Sequence, residues 1–192
     1  MPQHGASRVT RTVVLLEGVS DIAAVQSVAR ARELDLADVR LVDLGGITNV
    51  QRELRELQRA TADFDILGLC DAPEVRFVER ALHAVGRPAR DESDLAAYGF
   101  FVCRVDLEDE LIRALGTDRV IEVIARLGLA TKLATLRQQP AWQDRPLADQ
   151  LHRFCGVASG RKELLAGALA EALDPERVPA PLAALIDRIA RR

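Results

Sequence analysis

The chain has 192 residues, of which 48% are hydrophobic and 29% charged, and its formal net charge is −3 at neutral pH. This composition favours one globular domain with a substantial core and excludes an intrinsically disordered chain. The longest uncharged apolar runs are strand-sized, far below the roughly 20 residues that a membrane-spanning helix needs. The negative charge also excludes a uniformly basic surface, so any contact with nucleic acid would be local.

The three cysteines, Cys70, Cys103 and Cys155, lie far apart in apolar contexts and form no CxxC pair. This spacing does not support a disulfide framework or a zinc site, and it predicts buried thiols in a reducing compartment. Residues 1–11 lack the apolar segment and the cleavage site of a secretory signal. We therefore expect a cytoplasmic protein that does not contact membranes.

The first half of the chain alternates short apolar runs with segments of helical periodicity. Strands are predicted at 12–16, 39–43, 64–70 and 99–104, and helices between them at 20–32, 47–60 and 74–85. This alternation is typical of βαβ units, and it predicts a parallel sheet with helices on its faces. Residues 12–104 are expected to form this α/β core.

The second half of the chain shows helical patterns only. Helices are predicted at 107–115, 118–127, 130–137, 147–154, 161–173 and 181–190. The proline-containing stretches 86–92 and 138–146 interrupt the periodicity and predict exposed loops. Residues 105–192 are therefore expected to be a helical extension that completes the same domain.

The first strand delivers a carboxylate into the turn that follows it. Glu17 and Gly18 come directly after the strand, and Asp21 follows one helical turn later. In open α/β sheets, ligands bind beyond the carboxyl ends of the strands, and a glycine there allows close approach of a ligand or a backbone segment. An alternative is that Ser20 or Asp21 only caps the helix and Glu17 is solvated.

The third strand repeats this arrangement with Asp71 at its end and Glu74 in the next helical turn, and Pro73 suits the first helical position. Asp71 as N-cap and Glu74 as the third helical residue is again an alternative. Two strands that deliver acids to one edge would create a self-repelling cluster unless cations neutralise it. Hard oxygen ligands of this kind select Mg²⁺ or Mn²⁺.

A third group of acids follows the fourth strand, where Asp106, Glu108, Asp109 and Glu110 fall within five residues. Four acids exceed what helix capping needs, although some of them are expected to be ordinary charges at a helix N-terminus.

Together these residues resemble a TOPRIM domain: Leu16-Glu17-Gly18 followed by Asp21, then Gly45-Gly46, then Asp71. The continuation over 106–111 and the late stretch Gly160-Arg161-Lys162 resemble the C-terminal nuclease region of OLD family endonucleases. The resemblance implies a TOPRIM-like, Rossmann-like α/β fold. It also implies an Mg²⁺- or Mn²⁺-dependent nuclease whose substrate is nucleic acid, with DNA as the first expectation.

By this resemblance the metal ligands are Glu17, Asp21, Asp71 and Glu108, and Lys162 joins Glu17 as a catalytic residue by assisting at the scissile phosphate. One departure concerns the Asp-x-Asp motif after the third strand, because Pro73 stands at the position of its second aspartate. Glu74 is expected to replace that ligand, and the alternative is that one of the metal ions is lost. The alternative for Lys162 is a solvated charge at the start of an amphipathic helix.

The sequence leaves other functions open because a fold does not determine a reaction. The chain has no P-loop motif, so the ATPase of an OLD-like pathway would be a separate partner. A homodimer is also allowed. A catalytically weakened module that docks onto such an ATPase or onto nucleic acid is the main alternative, and a receiver-like domain with Asp71 as phosphoryl acceptor is another. A topoisomerase is disfavoured because the only tyrosine, Tyr98, precedes an apolar strand.

Overall fold

A computed structural model describes residues 11–60, 63–157 and 161–191. Its strands are Arg11–Leu16 (β1), Val39–Asp43 (β2), Phe64–Asp71 (β3) and Phe100–Cys103 (β4). They form a parallel sheet in the order β2-β1-β3-β4. The strands lie within one residue of their predicted bounds, and the predicted parallel sheet is confirmed. The amino-terminal stretch up to residue 10 and Gly160, which carry part of the predictions above, lie outside the described residues.

The α-helices of the described ranges are Val19–Ala31 (α1), Val50–Arg59 (α2), Val75–Ala84 (α3), Glu92–Ala97 (α4), Leu107–Leu115 (α5), Thr117–Arg126 (α6), Ala130–Arg137 (α7), Leu147–Gly156 (α8), Arg161–Glu171 (α9) and Ala180–Ala190 (α10). Short 3-10 turns, Ile47–Asn49 and Ala72–Glu74, precede α2 and α3. The sequence did not predict α4, because this short helix buries only Leu95 and has no periodicity to recognise. The predicted start of α3 at Glu74 was one residue early.

Helices cover both faces of the sheet. In β1, Val13 and Leu15 face the layer of α2, α3 and α4, whereas Val14 and Leu16 face the layer of α1 and α5 to α10. None of these four side chains is more than 1% exposed. Burial on both faces explains why β1 reads as an uninterrupted apolar run rather than as an alternating one.

The strand order reverses between the two central strands. From β1 the chain goes to β2 on one side, and it then crosses to β3 and β4 on the other side. The first connecting helix, α1, covers one sheet face and the second, α2, covers the opposite face. The carboxyl ends of β1 and β3 therefore form the switch point at which open α/β sheets bind ligands.

The helix α9 packs along α1, where a side chain at Gly167 would come within 3.4 Å of Ala23 Cβ. This packing brings the first turn of α9, which contains Lys162, to the same sheet edge as the start of α1.

Cys70, Cys103 and Cys155 are free and buried, as predicted. Within the described ranges, every helix is too short or too polar to cross a bilayer.

Candidate functional site

Three carboxylates converge beyond the ends of the central strands. Glu17 follows β1, Asp71 ends β3, and Glu74 ends the 3-10 turn that comes next. One oxygen atom from each lies within 4.8 Å of the other two. The convergence follows from the sheet, because β1 and β3 are hydrogen-bonded neighbours with Leu15 opposite Gly68. We call Glu17, Asp71 and Glu74 the carboxylate triad.

Asp71 does not cap the helix that follows it. It occupies the N-cap position of the 3-10 turn, but its side chain accepts no capping hydrogen bond. The capping alternative for Asp71 is therefore wrong, and its carboxylate remains available to the triad. Burial, followed by the charges of Asp21 and Glu17, raises the pKa of Asp71 to about 8.

Glu74 contributes a buried oxygen atom to the triad. Its Oε2 receives no hydrogen bond from any described residue. Burial and then the neighbouring Glu17 carboxylate raise the pKa of Glu74 to about 7. An unpaired buried oxygen costs about 1–3 kcal/mol, so this group favours either a bound proton or a neighbouring cation.

Asp21 lies at the start of α1, beside the triad. Its Oδ2 accepts a hydrogen bond from the backbone N–H of Gly18 at 3.2 Å, so the helix-start role considered for Asp21 is present. Burial is the main cause that raises its pKa to about 7, and the charge of Glu108 adds to it, while the hydrogen bond from Gly18 acts in the opposite direction. Asp21 thus stabilises the start of α1 and lies beside the triad without belonging to it. We call the triad together with Asp21, Glu108 and Lys162 the acidic site.

Glu108 and Lys162 form an ion pair within the acidic site. The Lys162 Nζ lies 3.3 Å from the Oε1 of Glu108, which is almost fully buried in the first turn of α5. The contact lacks hydrogen-bond geometry, and this Oε1 has no hydrogen-bond donor among the described residues. Lys162 is therefore a half-buried cation at the acidic site rather than a solvated helix-start charge.

Each of these two charges counteracts the pKa shift that burial causes in the other. Burial raises the pKa of Glu108, and the adjacent Lys162 ammonium lowers it again in part. Partial burial on its own lowers the pKa of Lys162, but Glu108 and then Asp21 and Glu17 raise it, and the net shift is upward. Lys162 is consequently protonated at neutral pH.

The other acids of the run after β4 have structural roles. The Oδ1 of Asp106 caps α5 by accepting the N–H of Asp109 at 2.8 Å. Asp109 and Glu110 each pair with Arg113 at 2.7 Å. Of the four acids, only Glu108 turns a carboxylate toward Lys162, which agrees with the expectation that some of them are helix N-terminal charges.

His152 is a further residue near the site that was not predicted from the sequence. Its Nε2 lies 2.6 Å from Oδ2 of Asp106, and the two residues are 46 positions apart in the chain. Asp106 in turn contributes to the raised pKa values of Asp71 and Glu108, so the pair lies at the border of the acidic site. No local pattern could have indicated it, because the contact exists only through the packing of α8 against α5.

The loop after β2 holds Glu17 in place. The N–H of Gly46 donates to the backbone carbonyl of Glu17 at 3.0 Å. Gly45 and Gly46 have φ values of 62° and 112°, which side chains other than glycine rarely adopt. Gly18 differs, since its backbone is extended, whereas a Cβ would meet no protein atom within 4 Å at any of the three glycines.

The donor set fits a hard divalent cation. The triad offers only oxygen ligands, and burial first, then the neighbouring carboxylates, raises the pKa values of Asp71 and Glu74. Mg²⁺ and Mn²⁺ prefer such ligands. The charge of Asp21 contributes to the raised pKa of Asp71, and the charge of Glu108 contributes in turn to the raised pKa of Asp21.

No family model and no curated protein matches the chain. Among solved structures, the C-terminal region of the Xanthomonas campestris pv. campestris OLD protein superposes with a TM-score of 0.66 at 21% identity, over 95% of this chain and 96% of that chain. The C-terminal region of the Burkholderia pseudomallei OLD protein gives 0.64 at 20% identity, over 95% of this chain and 98% of that chain. The α/β fold with a helical carboxyl-terminal part, and the likeness expected from the sequence, are thereby confirmed. The chain has the fold of the C-terminal region of OLD proteins.

Proposed function

We propose that this protein is a metal-dependent nuclease that hydrolyses phosphodiester bonds in nucleic acid, with DNA as substrate and Mg²⁺ or Mn²⁺ as cofactor. The observation that carries the proposal is the carboxylate triad beside the Glu108–Lys162 ion pair. Its position at the switch point of the sheet supports a ligand site. The fold shared with OLD proteins supports the nuclease interpretation over other uses of an acidic cluster.

Glu17, Asp71 and Glu74 would hold a divalent cation, with Asp21 and Glu108 as further ligands or as partners of its bound waters. When bound, such a cation neutralises phosphate charge and makes a coordinated water a stronger nucleophile. The triad side chains are only partly buried, so a phosphodiester can reach them from solvent.

Lys162 is suited to contact the phosphate itself. Its ammonium carries a full positive charge at neutral pH, and Glu108 fixes its position. A fixed cation at this place stabilises the negative charge that develops on the phosphate oxygens as water adds and the P–O bond breaks. The products are one phosphate end and one hydroxyl end.

Two further groups position this machinery. The carboxylate of Asp21 holds the N–H of Gly18, and the N–H of Gly46 holds the carbonyl of Glu17. Both contacts restrict the backbone around Glu17, and this keeps its carboxylate close to those of Asp71 and Glu74. Precise placement of ligands is what a metal site requires of the surrounding protein.

Incubation of purified protein with supercoiled plasmid DNA tests the proposal. We expect nicked or linear DNA with Mg²⁺ or Mn²⁺, none with EDTA, and none from the Glu17→Gln variant. Asp109→Asn is the matched control, because Asp109 belongs to the same acidic region but pairs with Arg113. Intact plasmid with both metals, or cleavage by Glu17→Gln equal to that of the wild type, contradicts the proposal.

The alternative function is a binding module that docks onto nucleic acid or onto a partner ATPase. Pro73 favours it, because the side chain at this exposed position carries no ligand atom. DNA binding without cleavage under any divalent ion would support this alternative. In either function an ATPase partner would come from outside these 192 residues, since their sequence contains no P-loop.

A further inference from the structure

The outer surface of α2 carries a stripe of arginines. Three exposed residues at positions i, i+3 and i+7 form it: Arg52, Arg55 and Arg59. The opposite side of the helix is buried against the sheet through Val50, Leu54 and Leu57. Because residues at these spacings share one helix face, the stripe points directly away from the sheet.

The neighbouring helix α3 has a matching stripe. Its exposed basic residues occupy positions i, i+4 and i+7: Arg76, Arg80 and His83. Its buried side consists of Val78, Ala81 and Leu82. Since α2 and α3 pack against each other over the same sheet face, the two stripes form one surface. We call the five arginines of this surface the arginine face.

Few acids counter this charge. Glu56 is exposed on α2, whereas Glu53 pairs with Arg40 at 3.5 Å and Glu79 is half-buried. In the described part of the chain, no ion pair shorter than 4 Å includes an arginine of the arginine face. The protein therefore has a local positive surface although its net charge is −3.

The arginine face begins at the acidic site. Helix α3 starts at the residue after Glu74, so Arg76 lies in the first turn beyond the triad. Helix α2 follows the loop in which Gly46 holds Glu17, and Arg52 lies in its first turn. Each stripe then runs away from the site for about 10 Å, since seven residues rise 1.5 Å each.

We propose that the arginine face binds the phosphate backbone of nucleic acid on one side of the phosphodiester bond that is cleaved at the triad. This inference rests on the proposed nuclease function and adds the surface that would hold its substrate. Guanidinium groups donate two parallel hydrogen bonds to a phosphate, and contacts of this kind position a duplex without reading its sequence. The large exposed apolar residues of the described chain, Val19, Val105 and Leu164, lie outside α2 and α3. The surface therefore lacks the apolar face that a membrane-binding helix needs.

Fluorescence anisotropy with a labelled DNA duplex in EDTA tests the proposal, because binding is measured without metal and without cleavage. The test variant replaces four arginines by glutamine, whose helix propensity is close to that of arginine: Arg52, Arg55, Arg76 and Arg80. The control variant makes the same change in charge at exposed arginines over the other sheet face: Arg30, Arg119, Arg126 and Arg177.

We expect the test variant to bind at least about tenfold more weakly at roughly 0.1 M salt, and the control variant to bind like the wild type. The logarithm of the association constant falls with the logarithm of the salt concentration. Each lost phosphate contact makes this slope less steep by about 0.9, so the loss of four contacts makes it less steep by about 3–4. Equal affinity and slope in wild type and test variant would overturn the proposal. So would a wild type that binds vesicles containing phosphatidylserine but not DNA.

These results separate this proposal from the proposed function. If the wild type binds DNA through the arginine face but cleaves no plasmid with Mg²⁺ or Mn²⁺, the arginine face stands and the nuclease function fails. If the wild type cleaves and the test variant binds and cleaves equally well, the nuclease function stands and the arginine face fails.

Discussion

Glu74 completes the carboxylate triad although it follows Pro73 instead of ending a strand. The 3-10 turn Ala72–Glu74 makes this possible, because it turns the chain back over the end of β3 before α3 begins. The Glu74 carboxylate thereby lies within 4.8 Å of both other carboxylates, and its Oε2 is buried. A longer side chain placed one position later than the expected aspartate thus reaches the same site.

We expect Glu74→Gln to reduce plasmid cleavage as severely as Glu17→Gln, by at least about 10- to 100-fold, because losing even an outer partner of a metal ligand costs that much. Initial rates at a fixed Mg²⁺ concentration check this. Glu79→Gln, in the helix α3 that follows Glu74 and outside the triad, is the control. Undiminished cleavage by Glu74→Gln would show that Glu74 is only a helix-terminal charge, which contributes about 0.3–1 kcal/mol to stability.

The raised pKa values of the site predict how stability depends on pH in the absence of metal. The folded-state pKa is about 8 for Asp71 and about 7 for Asp21 and Glu74, whereas carboxyls of an unfolded chain titrate near 4. The folded state therefore holds more protons between about pH 4 and pH 8. It follows that the free energy of unfolding falls as the pH rises through this range, and that the whole penalty is present above pH 8.

Urea denaturation in EDTA at pH 5 and pH 8 measures this effect. We expect the wild type to lose about 1–3 kcal/mol between the two pH values, because access of solvent to this partly open site reduces both the burial penalty and the repulsion between the carboxylates. The Asp71→Asn variant should lose clearly less. An identical loss in both proteins would mean that Asp71 is ionised at pH 5 as well as at pH 8.

At the level of elements, the loop between β2 and α2 matters to the site through the conformation of its two glycines. Gly45 has φ of 62°, a left-handed conformation that asparagine tolerates. Gly46 has φ of 112° and ψ of 141°, a combination that is costly for any residue with a Cβ. Its N–H also holds the backbone carbonyl of Glu17.

We expect Gly46→Asn to lower the free energy of unfolding by about 1–3 kcal/mol and Gly45→Asn by well under 1 kcal/mol. Urea denaturation of both variants measures the difference with one and the same introduced side chain. Because a shifted Gly46 releases Glu17, the first variant should also lose part of its stabilisation by Mg²⁺. Equal costs at the two positions would show that the loop relaxes without strain.

The strands and most helices could be predicted because their burial leaves periodic patterns, as in β1, where both faces are covered. The helix α4 could not, since a six-residue helix with Leu95 as its one buried residue has no detectable period. The local sequence also favoured a capping role for Asp71. The parallel sheet overrides that preference by placing Asp71 next to Glu17, and its side chain makes no cap.

At the level of the whole molecule, the predictable part of the site is what the sheet alone determines. Parallel neighbouring strands end at one edge, so the approach of Glu17 and Asp71 followed from the order of elements. The position of Lys162 depends on how α9 docks on α1, and only the resemblance to OLD nucleases indicated it. The contact between His152 and Asp106 depends on α8 and had no signal in the sequence. The roles of Asp21, Glu108 and Lys162 toward metal and substrate remain predictions.

The stability of the whole fold should respond to divalent cations, because an ion that binds only the folded acidic site raises the free energy of unfolding by mass action. At an Mg²⁺ concentration of about 100 times Kd the gain is about 2.7 kcal/mol. For a chain of this size, 1 kcal/mol corresponds to roughly 2–4 °C, so Tm should rise by about 5–10 °C. Thermal unfolding followed by circular dichroism, with millimolar Mg²⁺ and with EDTA, measures the shift.

Two variants determine whether such a shift comes from the site. Asp71→Asn removes a triad carboxylate, so it should raise the Tm measured in EDTA and abolish most of the Mg²⁺-induced increase. Asp109→Asn removes an equal charge from the Asp109–Arg113 pair and should retain the full increase. If both variants respond to Mg²⁺ like the wild type, the ion stabilises the protein through its general negative charge and the triad is not its binding site.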